Sequence, residues 1–422
     1  MLQFSQITMG VFEDMRSDID SLMASRQLDA LLVLGGEEFS SIRYYLSRGA
    51  DITQGYILKI KAADPLLIVN SMEIEEAAKS GFPVKTFGDY GLYELQRQYP
   101  DDPLAVQIAF FTRILETAGI EFGRIGLYGT GNLSEFIEFI RRVDRELPQY
   151  EFVGENGADL FREAMLTKDD EEMARLRSVA ERTNTVMQAT WDFISGHHVE
   201  QDQVVNAAGE ALTIGQVKSF VLKALLEKGL EDTGMIFAQG RDAGFPHSRG
   251  EAEDVLRPGQ SIVFDLFPRE IGGGYHHDMT RTWSLGYASP DVQKAYDEVM
   301  TAFDLSIEMY GLNKPTYLMQ EAVQNYFEAQ GHETSRSHPG TLEGYVHSLG
   351  HGVGINIHEL PRISHLSQED VFQIGNCITI EPGLYYPEKG FGVRVEDMFI
   401  VNKRGELESL TPFRKDLVLP LS

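Results

Sequence analysis

SIVFDLFPREIGGGYHHDMTRT, residues 261–282, decides how the second half of this chain folds. It opens as an apolar, strand-like run with one acid inside it, Asp265. It breaks at Gly272-Gly273-Gly274 and resumes with a second acid, Asp278. A buried, ionised and unpaired carboxylate is costly, and strand propensity also works against aspartate. The glycines predict a turn, so the two arms can pair as a hairpin. Asp278 lies 13 residues after Asp265, an odd separation that can set the two directly opposite on one face. Two carboxylates there repel unless a cation lies between them. On this stretch alone, an acid at a core edge and an unrelated acid in a turn explain it equally well.

Further along, Gly392-Val-Arg-Val-Glu-Asp-Met-Phe-Ile-Val401 also reads as a strand, with Arg394 and Glu396 sharing a face by the period of two. Glu381 ends another apolar run, Cys377-Ile-Thr-Ile-Glu-Pro-Gly383. Asp265, Asp278, Glu381 and Glu396 thus occupy strand positions where apolar residues belong. A solvated face explains one or two of them but not all four. Between them lies His347-Ser-Leu-Gly-His351-Gly-Val-Gly-Ile-Asn-Ile-His358-Glu-Leu-Pro361. Glycines at 350, 352 and 354 argue against a helix and for close backbone approach.

Outside this region the chain is ordinary in composition. At 422 residues it exceeds the roughly 250–300 at which single cores stop growing, so two domains are expected. A net charge of −27 repels phosphate backbones and anionic membranes, which excludes nucleic acid as an expected partner. A single cysteine, Cys377, excludes an internal disulfide and a cysteine-based zinc site. The opening MLQFSQITMGVFEDM lacks the features of a secretory leader, and no run approaches the length of a membrane span. A cytoplasmic protein is the expectation.

Toward the N-terminus, short apolar runs at 30–34, 65–69 and 125–128 alternate with helical patterns, which reads as an α/β domain. The turn 129–134 lacks the ending of a phosphate loop and reads as a plain strand-to-helix turn. Thr167 with Asp170 reads as a capping box. Met173, Leu176, Ala180, Met187, Trp191 and Ile194 then form a helical stripe ended by Gly196. The boundary is placed before this helix, giving domains 1–160 and 161–422. In the second, strands near 261–267, 281–285, 376–382 and 391–402 and helices near 290–310 and 315–330 read as α+β, with an antiparallel sheet.

The motifs resemble those of the pita-bread metallopeptidases, the group of methionine aminopeptidase, aminopeptidase P, prolidase and creatinase. The matching pieces, in the family's order over roughly residues 240–400, are Pro246-His247, Asp265, Gly274-Tyr-His-His-Asp278-Met-Thr-Arg-Thr282, His347 through His351 to His358-Glu-x-Pro361, Glu381-Pro-Gly383 and Gly392-Val-Arg394-Val-Glu396. Tyr44-Tyr-Leu46 and the pattern around 66–78 are similar to the creatinase/prolidase-type N-terminal domain. The resemblance implies that domain followed by a pita-bread catalytic domain, in a chain that pairs with a second copy as a homodimer.

It also implies two divalent metal ions, manganese foremost, with cobalt, zinc and iron as other choices. Asp278 and Glu396 would lie between the ions, Asp265 on one, and His351 and Glu381 on the other. Glu381 would act as general base and His358 would stabilise an oxyanion. His247 and His347 would place the substrate or pass a proton, and Arg394 would hold Glu396 or a substrate carboxylate. The implied reaction is hydrolysis of Xaa-Pro bonds in small peptides by a prolidase-like dipeptidase. The alternatives are an aminopeptidase P and, more remotely, a creatinase-type C–N hydrolase or a non-catalytic binding protein. A dipeptidase needs a cation for the free carboxylate beyond proline, and the sequence singles out none.

The family's two aspartates are usually two residues closer together. Either each hairpin strand is one residue longer with the acids still opposed, or there is a bulge. His276 and His277 are expected in a solvent-facing turn.

Overall fold

In the structure, a computed structural model, residues 18–422 are described. The opening segment read above as lacking a leader lies outside them. The chain divides into two compact units, one running to Ala164 and the other from Met165 to Ser422. No helix among the described residues is long and apolar enough to cross a membrane.

The first unit is built on a six-stranded mixed sheet, ordered Val84–Thr86, Leu66–Val69, Gly55–Ile60, Ala30–Leu34, Gly123–Gly129, Tyr150–Val153. Ala30–Leu34 runs antiparallel to Gly55–Ile60 and parallel to Gly123–Gly129. Its residues 30–33 are buried, as expected for a central strand covered on both faces. The helices Pro103–Thr117 and Leu133–Glu146 supply Phe110, Phe111, Ile114, Phe139 and Val143 to the core of this unit. Residues 129–132 form the expected strand-to-helix turn, and Asn132 caps the helix by accepting from the amides of Ser134 and Glu135.

The second unit begins with the helix Asp170–Ser195, whose six stripe residues are all buried. Its capping box is Asp169 with Glu172, two residues beyond the Thr167 pairing expected from the sequence. The Lys168 amide donates to Gly375 O, which ties residues 167–168 to the sheet region and delays the helix start.

Two antiparallel assemblies follow. One runs Ile236–Gln239, Ser261–Leu266, Met279–Leu285, with a short parallel addition at Val418–Leu419. The other runs Glu359–Ile363, Gly350–Gly352, Cys377–Ile380, Asp397–Val401, Leu407–Ser409. The hairpin Gly383–Tyr386/Phe391–Arg394 continues from the second. The helices Pro290–Met309 and Tyr317–Ala329 bury Val299, Phe303, Val323 and Phe327 against Leu349, Ile378, Ile380, Val393 and Val395. Each such fully buried side chain contributes roughly 1.5–3 kcal/mol.

The strand expected over 391–402 is two strands, broken at Val395-Glu396. The break is where the chain changes partner. Arg394 pairs with Gly383 and Asp397 with Ile380, while the Glu396 amide turns away to donate to Thr280 O at 3.0 Å. One residue therefore joins the two assemblies by its backbone. The register on either side of the break sets Glu381 opposite Glu396.

Candidate metal centre

The hairpin of residues 261–285 is regular. Asp265 pairs with Thr280 and Leu266 with Met279, and the same register continues through the Arg269–His276 bridge to a turn at residues 271–274. Asp265 and Asp278 are therefore not directly opposite, as the sequence suggested, but are offset by two residues on the same face. There is no bulge in this register. The expectation for His276 and His277 is also overturned, since both are buried. The His276 amide donates to Gly354 O at 2.8 Å, and the His277 ring lies 3.5 Å from Thr411 Oγ1. Burial pushes the two imidazoles down to about 4 and about 3.

Asp278, His351 and Glu396 converge, with ligand-capable atoms all within 4.8 Å of one another. His351 Nε2 lies 3.7 Å from Asp278 Oδ2 and 3.5 Å from Glu381 Oε1. Its Nδ1 is 3.0 Å from Gly352 O, so Nδ1–H donates there and the Nε2 lone pair faces the carboxylates. Gly350 and Gly352 flank His351 because a Cβ on either would fall 2.1 Å from a carbonyl, Thr379 O or Leu360 O. Glu396 Oε2 accepts from Thr280 Oγ1 at 2.8 Å. Arg281, 1% exposed, donates to the carbonyls of Thr280 and Glu396 and pairs with Asp397, which fixes the backbone at the break.

Burial raises Asp278 well above the usual carboxylate range, and the charges of Asp265 and Glu381 add to it. Glu396 is raised in the same way by burial, then by Asp278 and Glu381. Burial pushes Glu381 up to about 8 against the pull of Arg394. His351 is pushed down to about 3 by burial and by His358. Asp265 Oδ1 and Asp278 Oδ1 are buried without a hydrogen-bond partner. A cluster of buried acids with orphaned oxygens and an aimed imidazole lone pair is a donor set completed by divalent cations.

Arg394 does not hold Glu396. Its guanidinium takes Asp265 Oδ2 at 2.6 Å, Tyr385 OH at 2.8 Å and Thr280 Oγ1 at 3.1 Å, with Pro246 O at 3.3 Å. It is 3% exposed, and four of its five N–H groups are spent on these protein partners, so it is held as a buried anchor for Asp265. Tyr385 OH also meets His347 Nε2 at 2.9 Å, and His347 Nδ1 meets Ser348 O at 2.7 Å. Both nitrogens of His347 are therefore occupied. Burial, with Arg394, holds its ring down to about 3, which keeps it neutral. His347 and His247 line a cleft of about 620 Å³ with Phe245, Pro246, Ser248, Val346, Arg241 and Asp242. The ring of His358 stands edge-on to His351 at 4.4 Å between centroids. Its pKa is lowered by burial, then by His247 and Arg362.

Sequence reasoning missed Thr280, Tyr385 and Arg362. Asp278, Thr280 and Thr282 are polar at alternate positions of one strand, a readable sign of a polar face. Tyr385 sits in an aromatic run with no such sign. Arg362 pairs across the sheet with His351, and so shares its face.

The sequence pattern of metallopeptidase family M24 matches residues 174–403. The chain belongs to that family. It is similar to the Xaa-Pro dipeptidase of Pyrococcus horikoshii, 26% identical over 97% of this chain and all of the relative. The Xaa-Pro dipeptidase of Lactobacillus delbrueckii is 26% identical over 86% of this chain and 88% of its own. In fold it matches the X-Pro aminopeptidase of Thermotoga maritima (TM-score 0.72, 20% identity, 96% and 99% of the two chains) and the prolidase of P. horikoshii (0.71, 22%, 96% and 99%). Membership of M24 makes this a metal-dependent peptidase with a pita-bread second unit.

The M24 centre predicts a pH effect on the metal-free protein. Folding raises Asp278, Glu381 and Glu396, so their stabilising contribution is present below the ordinary carboxylate range and lost as pH rises toward and past 8. The buried histidines, lowered on folding, act the other way, but only below about 6.5. Between pH 6.5 and 8.5 the melting temperature of chelated protein will therefore fall, and added Mn²⁺ will flatten the slope. An equal slope with and without metal would remove the carboxylates as its cause.

Proposed function

We propose that this metallopeptidase is an Xaa-Pro dipeptidase holding two divalent ions, manganese foremost, on Asp265, Asp278, His351, Glu381 and Glu396. The reading is supported by the convergence of Asp278, His351 and Glu396, with Glu381 3.5 Å from His351 and orphaned oxygens on Asp265 and Asp278. The dipeptidase assignment follows the near full-length relatives named for that activity. Cobalt, zinc or iron would suit the same ligands, and a cytoplasmic homodimer is part of the proposal. Bound there, the ions would lower the pKa of a water and polarise the scissile carbonyl.

The chain's own groups then divide the work. Glu381 takes the proton of the attacking water and delivers it to the departing prolyl nitrogen. That nitrogen carries no N–H in the substrate and must gain a proton to leave as a secondary amine. His358, its pKa lowered by partial burial and by the neighbouring His247 and Arg362, donates to the developing oxyanion. His247 orients the substrate from the cleft wall. His347, with both nitrogens bound, acts by locking Tyr385 and through it Arg394.

Arg362 supplies the cation that a dipeptidase needs. It is exposed, lies on the face of His351, and bears electrostatically on His358. Among the described residues its guanidinium makes no ion pair. Manganese-loaded enzyme will release proline from Ala-Pro and leave Ala-Pro-Ala intact. Arg362→Ala will raise KM for the dipeptide about tenfold or more, the scale of one charge-assisted contact. Cleavage of the tripeptide at a comparable rate would make the protein an aminopeptidase P instead.

A further inference from the structure

The loop between His351 and His358 is clasped from outside the ligand set. Lys168, with its side chain 1% exposed, reaches Glu359 Oε2 at 2.8 Å and Met165 O at 2.8 Å. The other Glu359 oxygen, Oε1, accepts from the Asn356 amide at 2.9 Å and from its side chain at 3.3 Å. A Cβ on Gly354 would fall 2.3 Å from Glu359 Oε2, so the loop closes tightly round the carboxylate. Glu359 follows His358 directly and pairs in the sheet with Gly352, which follows His351.

A fully buried lysine–carboxylate pair is weak evidence for stability, because desolvation cancels much of the attraction. What such a pair does enforce is geometry. From this placement we infer that Lys168 and Glu359 are positioning residues that hold His358 at the spot where it meets the oxyanion. The ion pair fixes the Glu359 backbone, the Glu359 carboxylate fixes Asn356, and the loop between His351 and His358 is left with one conformation. Neither residue touches substrate or metal. The role rests on the assignment of His358 to the oxyanion.

The test is a double-mutant cycle on manganese-loaded enzyme with Ala-Pro. Lys168→Met will lower kcat on the order of 10- to 100-fold, the scale of a misplacement of about 1 Å. KM and bound metal per chain will stay near wild type. In a His358→Ala background the same change will lower kcat by less than about twofold, because the group it serves is gone. Glu359→Gln keeps the Asn356 hydrogen bonds and repeats the cycle should Lys168→Met fail to fold. Reductions that multiply in the double variants would overturn the inference and leave the pair a general stabiliser. A His358→Ala enzyme with wild-type kcat would overturn the oxyanion assignment itself, and the positioning role with it.

Discussion

Asp278→Asn will abolish metal binding and hydrolysis while making the metal-free protein more stable. Asp278 is enclosed by Glu396, Glu381 and His351 and lies on the hairpin face of Asp265, and one of its oxygens has no protein partner. Without metal its charge opposes three other acids at low dielectric, so an isosteric neutral amide relieves repulsion. With metal, the same change removes a ligand. The loss in kcat/KM will exceed the roughly 10- to 100-fold seen when a group that merely supports a ligand is removed. Metal analysis of purified variant and wild type, with melting curves of both after chelation at pH 8, reads the two effects separately. A variant that keeps its full metal content and activity would sink the ligand assignment. A chelated variant that melts below chelated wild type would sink the account of the repulsion.

Arg394→Met will be the most destabilising change near the centre. The guanidinium makes hydrogen bonds to Asp265, Thr280, Tyr385 and the Pro246 carbonyl. Methionine fills part of the space but leaves Asp265 Oδ2 buried without its partner. Removing one member of a buried ion pair costs about 3–5 kcal/mol. Tyr385→Phe, which removes only the shared hydroxyl, will cost about 1 kcal/mol. Denaturant titrations of the two variants against wild type measure this ratio, and equal costs would show that Arg394 matters for packing alone. Arg394→Met will also lower activity, since Asp265 loses the group that aims it.

The elements of the second unit were legible because each has a period of its own. The apolar runs around Val263, Ile378 and Phe399 are strands, and the spaced apolar residues from Val292 to Phe303 form a buried helix face. Acids interrupting those runs marked out the candidate ligands, since an uncompensated charge in a strand demands a reason.

What stayed hidden is tertiary. Parity shows that Asp265 and Asp278 share a face, but a shift of two residues leaves parity unchanged, so the offset could not be read. His276 and His277 look like turn residues locally. They are buried because Gly354 and Thr411, distant in sequence, close over them. The partner of Arg394 was missed for a similar reason. A single strand through 391–402 makes Glu396 its neighbour, whereas the break turns Glu396 to Thr280 and leaves Arg394 to Asp265. The N-cap slipped from Thr167 to Asp169 because Gly375, some 200 residues on, holds the preceding backbone.

The shared register of the two strand pairs bears on how this chain can change length. Asp265 and Asp278 hang on one hairpin, and Glu381 and Glu396 face each other across another. In both, which side of the sheet an acid occupies depends only on whether the intervening count is odd or even. Adding one residue to either turn, at 271–274 or between Tyr386 and Phe391, and re-pairing the strand beyond it would rotate a carboxylate out of the centre. Adding two would return it. Tolerated insertions at these tips should therefore come in steps of two, as the longer spacing between the aspartates already does, while a single added residue must be absorbed in the turn itself.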